Sequence, residues 1–274
     1  MARSNEAPLA GRHVVITGAS SGIGRAGALK VAAKGATVFL LARREEELAS
    51  VVAEIERAGG RAFAYPCDLT DDDSVDTAVQ AMLTEHGHVD MLVNNAGRSI
   101  RRAIRRSTDR LHDYKRTMEI NYFGALRVTL ALLPQMRERK FGHIVNISTA
   151  GVQFDTPRYS AYLASKAALD QFTDVAAAEL RSDGITFTTI HMPLVDTPMI
   201  APTGKLNAAP AASPEWAAAT IVKALVSRPK RIDVPLATIA EYAWRVSPRM
   251  RDIRMHRVYR AYPESAAAKG DSER

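Results

Sequence analysis

The sequence predicts a single α/β domain: a doubly wound parallel sheet with helices on both faces. Three observations carry that expectation. Short apolar runs rich in β-branched residues alternate with segments of helical spacing, from "HVVITG" (13–18) to "SPEWAAATIVKALVS" (213–227). Parallel strands need such crossover segments, and burial on both faces makes them near-continuously apolar. No stretch of the 274 residues has the composition of a linker between two domains. Finally, 46% of the residues are hydrophobic, enough for one large core, yet no run approaches the roughly 18–20 apolar residues of a membrane span.

The elements follow in order. Residues 1–11 read as a disordered lead without the apolar stretch of a secretory signal. The run 13–18 is a strand; a glycine-rich turn and a helix to about Lys34 follow. "ATVFLLA" (36–42) is the second strand, and "RREEELASVVAEIERAGG" (43–60) is a helix stopped by Gly-Gly. "RAFAYPCDL" (61–69) is the third strand. "TDDDSVDTAVQAMLTEHG" (70–87) is a helix whose acidic first turn suits its dipole. "VDMLVNNAG" (89–97) is a strand running into a turn. A long helix is predicted around 113–139, a strand at 142–148, a helix at 157–181 and a strand at 185–193. The segment 213–227 is a helix with a Ser cap and Pro at its first position. The α/β domain is expected to span 12–235; 236–262 reads as a basic amphipathic helical extension, a lid or an interface, and 263–274 as a disordered tail.

Composition excludes several functions. The net charge of +7 is modest for this length, and no nucleic-acid-binding module is recognisable. Cys67 is the only cysteine, so no intrachain disulfide can form, which fits a reducing, cytoplasmic setting. No metal site is predicted, and no repeat of 20–50 residues is present.

"TGASSGIG" (17–24) lies between the first strand and first helix, where a dinucleotide site requires it. Gly18, Gly22 and Gly24 let backbone approach a pyrophosphate, with Ser20, Ser21 and Ile23 in the same turn. The helix start offers free N–H groups to the anion. An ordinary strand–helix turn is the bland alternative. The residue ending the second strand meets the 2′ position of the cofactor ribose. An acidic residue there would favour a free hydroxyl. This chain has Ala42 followed by Arg43 and Arg44, and guanidinium groups suit a 2′-phosphate, so NADP(H) is expected over NAD(H). Cations at a helix start are disfavoured by the dipole unless an anion joins them. Asp68, with Leu69 beside it, is a candidate for the adenine edge.

With "NNAG" (94–97), "NIS" (146–148) and "YLASK" (162–166) in that order after the glycine turn, the chain resembles the short-chain dehydrogenase/reductase family over about residues 12–200. The resemblance implies a Rossmann fold and a hydride transfer between a nicotinamide and a carbonyl/alcohol pair. It implies Asn94, Ala96 and Gly97 near the cofactor, Asn121 and Ser148 as catalytic residues, Tyr162 as acid/base and Lys166 as its partner. Tyr162 and Lys166 are also counted among the cofactor contacts. Asn121 would help hold a water that relays protons to Lys166. "PLVDTPM" (193–199) matches the loop beside the nicotinamide, with Pro193, Val195 and Thr197 as contacts. The family usually has Gly after that proline; Leu194 stands here. Homodimers or homotetramers formed through the long helices are likewise implied.

The chemistry explains the Tyr–Lys spacing. A phenol with pKa about 10 is a poor acid/base near neutrality, and a nearby ammonium lowers it. Ser148 would hydrogen-bond the substrate oxygen as charge develops there.

The substrate is less legible. "GRSIRRAIRRSTDR" (97–110) carries Arg98, Arg101, Arg102, Arg105, Arg106 and Arg110. The extension carries Arg245, Arg249, Arg251, Arg254, Arg257 and Arg260, interleaved with Tyr242, Trp244 and Tyr259. Solvated faces and subunit contacts are one explanation. A basic rim for a phosphate-bearing substrate such as an acyl-CoA is another, and contact with an anionic membrane surface a third. "NNAGRSIRR", "HMPLVDTPMIAPT" and "YRAYPESAAAKG" are similar to bacterial fatty acyl-CoA reductase-like members. That likeness implies a long-chain acyl-CoA or fatty aldehyde reduced with NADPH. A different bulky ketone or alcohol (β-ketoacyl, steroid-like, polyketide) and a non-catalytic NADP-binding scaffold remain open. A covalent thioester route would need a nucleophilic cysteine. Cys67 sits on the adenine side, which leaves direct hydride attack.

Overall fold

The computed structural model describes residues 7–203, 211–264 and 268. Seven parallel strands form one sheet in the order β3-β2-β1-β4-β5-β6-β7. They are β1 His13–Thr17, β2 Thr37–Ala42, β3 Arg61–Pro66, β4 Met91–Asn94, β5 Gly142–Thr149, β6 Ile185–Met192 and β7 Arg231–Ile232. The helices are α1 Gly22–Ala32, α2 Glu45–Arg57, α3 Asp72–His86, α4 Leu111–Met118, α5 Gly124–Glu138, α6 Gly151–Phe154, α7 Ser160–Glu179, α8 Pro214–Ser227, α9 Pro235–Val246 and α10 Pro248–Ala261.

The sheet divides the apolar residues into two cores, as its double-sided coverage requires. On one face Val14, Ile16, Val38 and Leu40 pack with Val31 of α1, Leu48 and Ile55 of α2 and Ile221 of α8. On the other Val15, Phe39, Leu41 and Leu92 meet Met82 of α3, Leu132 of α5 and Ala176 of α7. The chain winds outward in both directions from β1 and β4. That switch point opens a crevice at the carboxyl ends of the strands, where such sheets bind ligands.

Four features depart from the sequence expectations. The lead is not disordered at residues 7–11: Leu9 is 1% exposed within the first core and its N–H donates to the Lys34 carbonyl. Apolar burial pins this short segment, in which Leu9 is the one large side chain between Pro8 and Ala10; residues 1–6 lie outside the described residues. The helix expected at 113–139 is broken into α4, a π-helical turn at Glu119–Phe123 and α5. β7, a seventh strand of two residues, is too short to show a pattern. Pro263 and Glu264 are held rather than disordered, because Arg101 donates to the Pro263 carbonyl and Arg158 pairs with Glu264 at 3.0 Å. Apart from Ala268, residues 265–274 lie outside the described residues.

The extension is the pair α9 and α10. Only Ala237 of these two helices is buried. Leu236, Ile239, Tyr242, Val246, Met250 and Ile253 are exposed, Val246 by 87%.

Candidate active site

The crevice begins at the glycine turn after β1. Gly18 and Gly22 have φ of 67° and 53°, a region that favours glycine. A Cβ on Gly24 would lie 2.2 Å from the Gly18 carbonyl oxygen, so helix α1 reaches the turn only because residue 24 has no side chain. Ser21 caps α1 in extended conformation without a side-chain hydrogen bond, and the first turn holds no acidic residue. Its N–H groups are thereby left for an external anion. Thr17 Oγ1 accepts from the backbone N–H groups of Asn95 and Ala96, both at 3.0 Å, and the Asn95 amide donates to the Thr17 carbonyl at 2.9 Å. This knot ties the turn after β4 to the glycine turn.

At the adenosine end, Arg44 Nη2 donates to Ser20 Oγ at 3.1 Å, and Arg43 lies 4.0 Å from Asp68. Both arginines line the crevice with Ser20, Asp68 and Leu69. The dipole reasoning about these cations loses force here. Glu45, Glu46 and Glu47 occupy the first turn of α2, and Arg44 pairs with Glu47 at 3.0 Å. Asp68 Oδ1 accepts from the Thr70 N–H and hydroxyl, which holds its carboxyl below the ordinary value.

Further along, α7 carries Tyr162 and Lys166 one turn apart beside Ser148 at the end of β5, all on the crevice wall. Lys166 is 3% exposed and Nζ donates to the Ile147 carbonyl at 2.7 Å. Burial lowers its pKa to about 8, with Asp170 opposing. Tyr162 departs from expectation. Burial raises its pKa to about 12, a hydrogen bond with Thr149 opposes the shift, and Lys166 is engaged elsewhere. Ser148 also differs, because its hydroxyl donates to Asp170 Oδ2 at 3.0 Å.

Asn121 sits in the π turn, wholly buried and off the crevice wall. Its amide donates to the Arg98 carbonyl at 2.9 Å and to Ser165 Oγ at 2.8 Å, and its oxygen accepts from the Arg98 N–H at 2.7 Å. The side chain fixes the segment after β4. A Cβ on Gly97 would lie 3.0 Å from the Asn121 oxygen and 3.7 Å from Lys166 Nζ, so Gly97, Asn121 and Lys166 do converge.

Gly18, Ser20, Ser21, Gly22, Ile23, Ala96, Gly97, Pro193, Val195 and Thr197 line the crevice as expected. Gly24 and Asn94 do not. Gly24 serves helix packing. Asn94 is buried in the sheet, its amide donating to Thr129 Oγ1 at 3.0 Å and Asn146 Oδ1 at 2.8 Å; neighbouring Asn95 faces the cleft instead. Leu194 raises no backbone problem, since it is not in the positive-φ region and its carbonyl accepts from Ala212 at 2.8 Å. Thr149, Asp170 and Asn95 were absent from the sequence expectations. Asp170 had a signal, for it follows Lys166 by one turn on the same face of α7.

The whole cleft encloses ≈ 1310 Å³. Past Tyr162 its walls turn apolar: Phe154, Tyr159, Leu163, Leu236 and Val258. Tyr262 also borders a second pocket of ≈ 400 Å³ lined by Arg105, Arg106, Arg158 and Arg260. The arginines have divided duties. Arg101 and Arg102 donate to the carbonyls of Pro263 and Ala268, Arg110 pairs with Asp113, and Arg158 donates to the carbonyls of Tyr259 and Tyr262. Among the described residues Arg105, Arg106 and Arg260 make no ion pair with a carboxylate. Cys67 is buried, which pushes its thiol up and makes it a poor nucleophile.

Residues 12–207 match the family model described as short chain dehydrogenase. A fatty acyl-CoA reductase of Acinetobacter baylyi is 50% identical over 264 residues, covering 96% of this chain and 90% of that protein. A short-chain dehydrogenase structure from Streptomyces avermitilis superposes with a TM-score of 0.76 at 34% identity, covering 91% of this chain and 98% of that one. A metagenomic short-chain oxidoreductase solved in complex with NADP gives 0.71 at 30% identity, covering 83% and 97%.

Proposed function

The chain belongs to the short-chain dehydrogenase family of nicotinamide-dependent oxidoreductases, and from that premise we propose that it reduces a long-chain acyl-CoA or fatty aldehyde with NADPH. The observation that carries this is one continuous cleft. It runs from an anion-ready helix start, past the Tyr162–Lys166 pair, to apolar walls, and Tyr262 at its border also lines a separate arginine-lined pocket. Arg44 bonded to Ser20, with Arg43 beside them, supports binding of a 2′-phosphate. The NADP-bound neighbour supports the same preference.

A nicotinamide held in this cleft would supply the hydride for the substrate carbonyl carbon. Tyr162 donates its phenolic proton to the carbonyl oxygen as negative charge builds there. Lys166, charged below about pH 8, stabilises the tyrosinate that remains. Ser148 donates to the same oxygen after its hydroxyl turns from Asp170. A thioester reduced in this way yields a hemithioacetal. Its C–S bond then breaks, the hydroxyl proton passes to sulfur, and aldehyde and free thiol leave. No enzyme thiol takes part.

The apolar walls support an acyl chain, and Arg105, Arg106 and Arg260, which have no carboxylate partner among the described residues, support the phosphates of coenzyme A. Exposed Phe123 at the end of the π turn, Leu130 of α5 and Val175 of α7 support a dimer or tetramer through these helices. The exposed apolar row of α9 and α10 among arginines supports peripheral contact with an anionic membrane.

The test is NADPH oxidation with palmitoyl-CoA, a long-chain aldehyde and a short ketone side by side, with NADH as control. Turnover of the acyl-CoA or the long aldehyde is expected. Turnover of the short ketone alone would remove the lipid substrate while leaving the oxidoreductase intact.

A further inference from the structure

Behind the proposed catalytic serine lies a chain of ionisable groups that hydride transfer does not call for. β5 and β6 are paired so that Ser148 stands directly opposite His191. Asp170 reaches both from α7: its Oδ2 accepts the Ser148 hydroxyl at 3.0 Å and lies 3.1 Å from His191 Nε2. His191 Nδ1 lies 2.6 Å from Asp233 Oδ1. The imidazole is 6% exposed. Burial alone would lower its pKa, but hydrogen bonds to a carboxylate at each ring nitrogen overcome this and raise it.

The charged surroundings are few. Lys166 shares α7 with Asp170, and the Lys230–Asp174 pair at 2.9 Å closes the next turn. Arg231 lies 3.2 Å from Asp233 and 2.8 Å from Glu241 of α9, which also pairs with Arg245 at 2.9 Å and accepts from Gln153 at 3.0 Å. Asp170 Oδ1 is buried without a hydrogen-bond partner, so Oδ2 carries both contacts of this carboxylate.

A serine hydroxyl has one proton to give. While Asp170 holds it, Ser148 offers the cleft only lone pairs. Donation to a substrate oxygen requires the hydroxyl to leave Asp170, and a buried carboxylate stripped of its donors is costly. His191 remains as the second donor only if Nε2 carries a proton. The 2.6 Å contact with Asp233 reserves Nδ1–H, so only the doubly protonated ring satisfies both carboxylates.

We propose that Asp170, His191 and Asp233 are positioning residues that hold the Ser148 hydroxyl at rest and release it to the substrate oxygen while His191 is an imidazolium. Loss of that proton leaves Asp170 dependent on Ser148 and slows release. The mechanism rests on the proposed role of Ser148, and the chain continues through Arg231 and Glu241 to the helical extension.

The experiment combines a double-mutant cycle with a titration. His191→Gln is expected to lower kcat about tenfold, leave the NADPH dissociation constant unchanged and remove an alkaline limb from the kcat profile. In a Ser148→Ala background the same change should have almost no effect on residual turnover, and Asp170→Asn should behave alike. Equal losses in both backgrounds, or a lowered melting temperature as the sole change, would overturn the proposal. NMR titration of the imidazole reads the network without turnover. His191 should titrate above an ordinary histidine in the parent protein and lower in Asp170→Asn; an ordinary or depressed value in the parent protein overturns the proposal. Turnover of short carbonyls without acyl-CoA would sink the substrate assignment and leave this network standing.

Discussion

The two ends of the cleft are built differently. The cofactor end is made largely of backbone: positive-φ glycines, a helix start without a side-chain cap bond and the Thr17–Asn95 knot, seated on β1 and β4, whose side chains are buried from Val14 to Thr17 and from Met91 to Asn94. The substrate end is made of side chains, and part of its wall, Leu236 and Val258, stands on helices that bury almost nothing: Ala237 alone from α9 and none from α10. One end has a single geometry because a methyl group in the wrong place collides with main chain. The other is held by arginine contacts to carbonyls and carboxylates; the exposed ones are individually weak and exchangeable, and the buried Arg158–Glu264 pair anchors them. A cofactor shared by many reactions suits the first construction, and a variable substrate suits the second.

The largest expected effect lies where the two ends meet. Tyr162→Phe should cut NADPH-dependent turnover by about 10²–10⁴-fold, the range for losing a general acid, while NADPH still quenches protein fluorescence on binding. Retained turnover would remove Tyr162 from the chemistry. Within the cofactor end, Gly24→Ala forces a Cβ against the Gly18 carbonyl. Relief at a cost of about 1–3 kcal/mol should weaken NADPH by about 10–100-fold in the same titration. An unchanged dissociation constant would show that the turn is softer than the comparison requires.

A pH profile tests the junction. Lys166 has a pKa of about 8 in the folded protein, below its ordinary value, so its charge is present at pH 7 and lost as pH rises past 8. The rate of reduction should fall over that interval. Lys166→Arg, which stays charged, should move the fall to higher pH even if its absolute rate is lower. A smaller effect is expected for Arg44→Ala: about tenfold weaker NADPH with NADH nearly unchanged. Equal losses for both cofactors would end the 2′-phosphate assignment.

The same contrast decides what could be read from the sequence. Glycine spacing, β-branched runs and the Tyr–Lys interval are local patterns, so the sheet, its helices and most of the cofactor end were legible. The Asn94/Asn95 distinction was not, because neighbouring residues of one motif point to opposite sides of a strand end. The π turn at Glu119–Phe123 was not, because helical periodicity does not register one extra residue. The Asp170–His191–Asp233 chain joins α7, β6 and the segment after β7, and only tertiary structure places those side chains together. Leu9 shows the converse case: one large apolar residue among Ala, Pro and Gly gives no periodic signal, yet fills the core.

The smallest expected effect is the most informative about the substrate end. Twelve arginines in two segments suggested one basic rim, but the fold assigns many of them to other work. Arg101, Arg102 and Arg110 pin segments together, Arg245 and Arg251 pair with acids, and Arg254 lies over Trp244. Arg105, Arg106 and Arg260 are left around the side pocket. Replacing Arg106 and Arg260 together by Ser should raise KM for an acyl-CoA about three- to tenfold, since exposed ion pairs with a phosphate contribute roughly 0.2–1 kcal/mol each. KM for a fatty aldehyde of the same chain length should not move, because the aldehyde carries nothing for a guanidinium to hold. Parallel increases for both substrates would mean that the two arginines support the extension itself, and the side pocket would then be part of the lid rather than a site for the carrier.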